Sequence, residues 1–189
     1  MGWRVTMSDI RILDQMIKDS AKVALTERHS KKVAVLTEHQ QPDSVVTIAG
    51  MPDNAIIIKA DVFKSPDTVF LGSKGECKRA DYIIVADTGN KKTIICVEMK
   101  VTKYPKKEII QQLAGAQYFI IYCQEIGKAF WNQSEFLKGY KYRFVSISHT
   151  GIPKRKTRVE RPTGIHNRPE QMLKISSPHY LQFSHLAGS

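Results

Sequence analysis

Two short apolar runs joined by a polar turn stand out between residues 79 and 103. Residues 82–85 (Tyr-Ile-Ile-Val) and 93–97 (Thr-Ile-Ile-Cys-Val) are rich in β-branched side chains, and Asp87, Thr88, Gly89 and Asn90 between them are turn formers. The pattern predicts a β-hairpin. Upstream, Ile10, Leu13, Ile17, Ala21, Ala24 and Leu25 recur at spacings of three and four behind the capping pair Ser8 and Asp9, which predicts a helix running to about His29. Residues 33–36 fit either an extension of that helix or the start of a strand. Residues 45–48 and 55–60 read as strands, with 61–63 continuing the second, and both are bounded by Pro and Gly.

Downstream, Ile109, Leu113, Ala116, Ile120 and Cys123 form the apolar stripe of a second helix over residues 106–124. Residues 140–148 alternate as a strand. Phe130, Trp131 and Phe136 fit packing between that helix and the sheet better than stacking on bases. Residues 172–175 and 180–183 read as short strands packing back on the same domain. The order of elements is an α/β fold, with a central mixed β-sheet flanked by helices over residues 1–150. A proline-interrupted basic arm or long loop follows over 151–170, and C-terminal strands over 171–189.

Three charges interrupt the apolar hairpin: Asp81, Glu98 and Lys100. A hairpin closed with Asp87 opposite Lys92 puts Asp81 opposite Glu98, with their Cβ atoms about 4.5–5.5 Å apart. Lys100 lies two residues beyond Glu98 and shares its face. Two carboxylates at that separation repel, so the arrangement calls for counter-charge. Lys100 supplies one positive charge and a divalent cation would supply the rest. Oxygen ligands without nearby Cys or His favour Mg²⁺ or Mn²⁺ over zinc. The same three residues also fit an ordinary solvated face or surface ion pairs. Against that, the flanking Ile94, Ile95, Cys96, Val97 and Val101 describe a strand buried on both sides.

Charge sharpens the picture. The chain of 189 residues has a formal net charge of +11 and a pI near 9.6, which suits a polyanionic partner. No apolar run approaches a membrane span, and Met1, Gly2, Trp3 and Arg4 do not begin a signal peptide, so no membrane partner is expected. Cys77, Cys96 and Cys123 are widely spaced, which suggests a reduced, cytoplasmic or nucleoid-associated protein.

Asp81, followed after a hairpin by Glu98, Met99 and Lys100 on the strand before a helix, resembles the PD-(D/E)XK nuclease superfamily, whose fold is restriction-endonuclease-like. Ala80 stands where many members carry proline, and Gln117 with Tyr118 approximates a Gln-Tyr pair found in some branches. The resemblance implies a Mg²⁺- or Mn²⁺-dependent nuclease. Asp81, Glu98 and the Met99 carbonyl would hold the metal, Glu27 on the first helix would add a further or water-mediated ligand, and Lys100 would orient the attacking water. Gln117 joins the candidate catalytic residues on the same ground. Lys74, Lys78, Arg79 and Lys103, with Lys154, Arg155, Lys156, Arg158 and Arg161 of the arm, would hold the nucleic acid backbone, DNA being favoured over RNA. A homodimer is compatible with such a role. The alternatives are a catalytically inactive nucleic-acid-binding module on the same fold, or an assembly subunit whose arm recognises a protein or RNA.

Overall fold

The computed structural model describes residues 7–38, 41–102, 104–148, 164–176 and 178–188, with the backbone alone for 41–43. The hairpin forms as the pattern dictates. Strands β5 (Tyr82–Asp87) and β6 (Lys92–Lys100) pair antiparallel, with Asp87 opposite Lys92 and Tyr82 opposite Val97. They are the middle of a five-stranded mixed sheet, in which β4 (Ala55–Lys59) adds to β5 antiparallel. On the other side β7 (Lys141–Ser148) and β8 (Leu173–Ser176) add in parallel.

Side chains alternate along β6, so its two rows enter different cores. Ile94 and Cys96 pack with Ile83, Val85 and the stripe of the long helix α2 (Lys106–Phe130), the side that also receives Ile12 and Leu13 of α1 (Asp9–Met16). Ile95, Val97 and Met99 face the opposite way. They meet Leu36, Val46 and Ile48 of a second, four-stranded sheet, ordered β1 (Thr26–Arg28), β2 (Lys31–Glu38), β3 (Gln41–Ala49) and β9 (Tyr180–Gln182). The mixed α/β class and the mixed central sheet hold. Among the described residues, however, α1 and α2 cover one face, and the other carries a sheet, joined by the short α3 (Phe183–Ala187).

The first helix is well under half its expected length, eight residues in place of a run to about His29. Ser8 caps it by accepting from the Arg11 amide, but the chain turns extended at Ile17. Beyond a 3₁₀ turn at Asp19–Ala21, the Val23 amide donates to the Ile57 carbonyl, so the free edge of β4 recruits residues that helix periodicity had claimed. Lys22 Nζ donates to both the backbone and side-chain oxygens of Asp14 at 2.7 Å, satisfying a carbonyl at the shortened helix end. Residues 33–36 resolve as strand, and residues 60–62 form a 3₁₀ turn where β4 was expected to continue. The second helix runs past Gln124 to Phe130, because Gly127 is a notch for the Phe136 ring and not a stop. Phe136 is buried as expected, whereas Phe130 is exposed.

Candidate active site

The β5–β6 ladder stops at Tyr82 and Val97, leaving the Met99 amide without a strand partner. Asp81 fills that gap: its Oδ2 accepts from the Met99 N–H at 2.6 Å, while its own carbonyl accepts from the Ala60 N–H at 2.8 Å. Asp81 is thus held on both sides, its carboxylate by β6 and its backbone by the turn after β4. In an extended strand the N–H and C=O of one residue point to the same side, so the Met99 carbonyl faces the same gap. Glu98 and Lys100 continue the row of Ile94 and Cys96.

Glu98 is fully buried. Lys100 Nζ lies 2.6 Å from Glu98 Oε1, and Glu98 Oε2 has no hydrogen-bond partner. Burial, reinforced by Asp81, raises the Glu98 pKa well above the carboxylate range despite the ion pair with Lys100. Although part of Asp81 is exposed, protein atoms crowd its carboxyl, and burial lifts its pKa to about 7 against the opposing pull of the Met99 amide and Lys100. Desolvation works against charge on Lys100 too, but Glu98 and Asp81 outweigh it and hold the ammonium above its usual pKa. Lys100 is therefore a cation at neutral pH. Its chemistry is to stabilise and orient, and the ring of Tyr104, 4.6 Å from Nζ, backs it from outside.

Two further carboxylates act on the pair. Glu38 raises the pKa of both Asp81 and Glu98, and Asp61 raises that of Asp81. Glu38 sits in β2, in the buried row of Ala34 and Leu36, at the point where the β2–β3 register shifts. Tyr82 holds that irregular point: its hydroxyl donates to the Thr37 carbonyl at 2.6 Å and accepts from the Thr37 N–H at 3.1 Å. Reading residues 33–36 as strand would have put Glu38 on the row of Ala34 and Leu36. The ambiguity of that stretch concealed it. Tyr82→Phe removes both bonds from a partly buried backbone and is expected to cost about 1–3 kcal/mol. Urea denaturation checks this; an unchanged midpoint would mean that the latch carries no stability.

Glu27 is not on a helix. It is exposed on β1 opposite Lys32, six residues along β2 from Glu38, or about 20 Å. The further carboxylate whose charge is felt at Asp81 and Glu98 is Glu38. Gln117 is half-buried, eleven residues into α2, about 16 Å along the helix from its start. The glutamine with a buried, unpartnered amide oxygen is instead Gln112. Of the basic candidates, Lys78 pairs with Glu108 at 2.7 Å, Arg79 lies over the Phe63 ring, and Lys74 is exposed. Lys103, Lys154, Arg155, Lys156, Arg158 and Arg161 lie outside the described residues.

Among the described residues, no three His, Cys, Asp or Glu side chains stand already arranged to hold a metal ion. The donor chemistry nonetheless suits a hard cation. Glu98 presents a buried oxygen without a partner, Asp81 has a second oxygen beyond the one on Met99, and the Met99 carbonyl faces the same gap. No helix among the described residues is long and apolar enough to cross a membrane. Compared with protein-family profiles, curated proteins and solved structures, the chain finds no match in any of the three.

Proposed function

We propose that this protein is a Mg²⁺- or Mn²⁺-dependent phosphodiester hydrolase acting on nucleic acid, DNA being favoured, on a restriction-endonuclease-like core. The observation that carries the reading is the buried Glu98, with one oxygen on Lys100 and the other unpartnered, beside the pinned Asp81 in a chain of net charge +11. Asp81, Glu98 and the Met99 carbonyl would hold the cation, with Glu38 close enough to add negative potential. A bound divalent cation lowers the pKa of a water and neutralises charge on a scissile phosphate. With Glu98 given over to holding the cation, the Lys100 ammonium would be free to donate to a phosphate oxygen and to offset the charge that develops as the bond breaks.

The test is cleavage of labelled single- and double-stranded DNA and of RNA in Mg²⁺, in Mn²⁺ and in chelator. Metal-dependent cleavage is expected, reduced about 100-fold or more in Asp81→Asn and in Lys100→Ala. Undiminished cutting by both variants would remove the assignment. A binding module without turnover is the second reading. It is favoured by the Lys100–Glu98 contact, which compensates half of the carboxylate pair internally. It predicts salt-sensitive DNA binding and no cleavage in either metal.

A further inference from the structure

A cleft of about 680 Å³ opens between the loop of residues 63–79 and the outer face of α2. Its floor is aromatic: Phe63 and Phe119 meet with ring centroids 5.0 Å apart. Three more aromatic residues rise around it and remain exposed, Phe70 at 54%, Tyr118 at 69% and Tyr122 at 57%. Tyr118 and Tyr122 are four residues apart on α2 and so stand on one face.

The cleft also contains a cation. The Arg79 guanidinium lies 5.0 Å over the Phe63 ring and donates to the Lys78 carbonyl. Its Nε is buried without a partner, and no carboxylate among the described residues pairs with it. The one acid on the wall, Glu76, is turned back into its own loop, accepting from the amides of Gly72 and Lys74. An apolar peptide would cover the rings and leave Arg79 desolvated and unpaired, which is costly. A ligand that is flat, apolar on its faces and joined to an anion satisfies both features.

The position of the cleft narrows the choice. Arg79 precedes Asp81 by two residues and Phe63 follows Asp61 by two, so both walls leave the acidic site within about 7 Å of chain. That is about two nucleotide steps of a stacked strand, and fewer of an extended one. We propose that the cleft takes an unpaired nucleobase from a strand lying across the acidic site, stacked on Tyr118 and Tyr122, with its neighbouring phosphate on Arg79. This deepens the nuclease reading by naming its substrate class: single-stranded or locally unstacked nucleic acid. Stacking on aromatic faces is tolerant of sequence, so no base preference is expected from this cleft.

The experiment is binding by fluorescence anisotropy in chelator, with the full chain and three oligonucleotides of equal length: single-stranded DNA, its blunt duplex, and a strand made wholly of abasic sugar-phosphate. The parent is expected to prefer the single strand with bases over the abasic strand. Tyr118→Ala/Tyr122→Ala is expected to bind the base-containing strand about 10-fold more weakly or worse, with abasic binding and melting temperature unchanged. Equal affinity of the parent for abasic and base-containing strands overturns the proposal, as does an equal loss on both strands in the variant. So does a shift from dimer to monomer in sedimentation with oligonucleotide binding intact, since the cleft would then face a second copy. No metal and no turnover enter the readout. A failure of hydrolysis therefore leaves this result standing, and a failure here leaves the hydrolysis assay to decide the activity.

Discussion

Glu98→Gln is expected to stabilise the metal-free protein and to abolish the stabilisation that Mg²⁺ confers on the parent. The two effects have one cause. Burial and the nearby Asp81 outweigh Lys100 at Glu98, so the fold favours the neutral form of that side chain. An amide of the same shape satisfies that preference with no charge to bury, and Asp81 remains to balance the Lys100 ammonium. The parent, by contrast, keeps a carboxyl group that can give up its proton to hold a cation. At a Mg²⁺ concentration 100 times its Kd the parent gains about 2.7 kcal/mol. Thermal melts with chelator and with Mg²⁺ separate the two effects, and an undiminished Mg²⁺ shift in Glu98→Gln would show that the cation, if any, binds elsewhere.

The same electrostatics set a pH dependence with a definite sign. Asp81 rises from an ordinary 3.8 to about 7 in the folded chain, so between those values the native state holds a proton that the unfolded state has released. Its contribution to stability is full below about pH 4 and is lost as pH rises through about 7. Glu98, shifted the same way, adds to the slope. In chelator, the urea-derived stability of the parent should therefore fall across this window by on the order of a few kcal/mol, and Asp81→Asn should flatten the fall. Saturating Mg²⁺ should flatten it as well, because metal and proton compete for the same oxygens.

Gly115→Ala is the second large effect, and two principles disagree on its sign. Helix propensity alone favours alanine in the middle of α2 by about 1 kcal/mol. Packing opposes it. A Cβ at residue 115 would lie 2.0 Å from the Lys78 carbonyl oxygen and 2.9 Å from its carbon, backbone atoms that no rotamer change can remove. Either α2 or the segment leading into β5 must move, and overpacking of this kind costs about 1–3 kcal/mol or more. The segment that would be displaced leads through Arg79 directly into Asp81, so the substitution should also weaken the hydrogen bond to Met99 and the response to Mg²⁺. Thermal denaturation decides: a variant more stable than the parent would mean that α2 does not rest on Lys78 as described.

Gly115 shows why a sequence pattern under-reports a site of this kind. Nothing around residue 115 distinguishes a glycine that admits a backbone from one that merely weakens a helix. The same holds for Glu38. Its charge acts on Asp81 and Glu98 from another sheet, at the shifted register of β2 that Tyr82 latches. Asp61 depends in turn on the bond between the Ala60 amide and the Asp81 carbonyl.

What the amino-acid sequence determined by itself was local and periodic. The turn at residues 87–90 set the register of β5 against β6, and alternation along β6 placed Glu98 and Lys100 in one row. Those outcomes rest on contacts between residues close in the chain, whose geometry follows from side-chain type and spacing. Only the tertiary structure decided that α1 stops at Met16, that Glu27 lies at the far end of the second sheet, and that the charge of Glu38 is felt at Asp81 across 43 residues. In each case a free sheet edge or an apolar sheet face competes with local propensity. Its reward is burial and backbone pairing supplied by a distant segment, which no window of neighbouring residues contains.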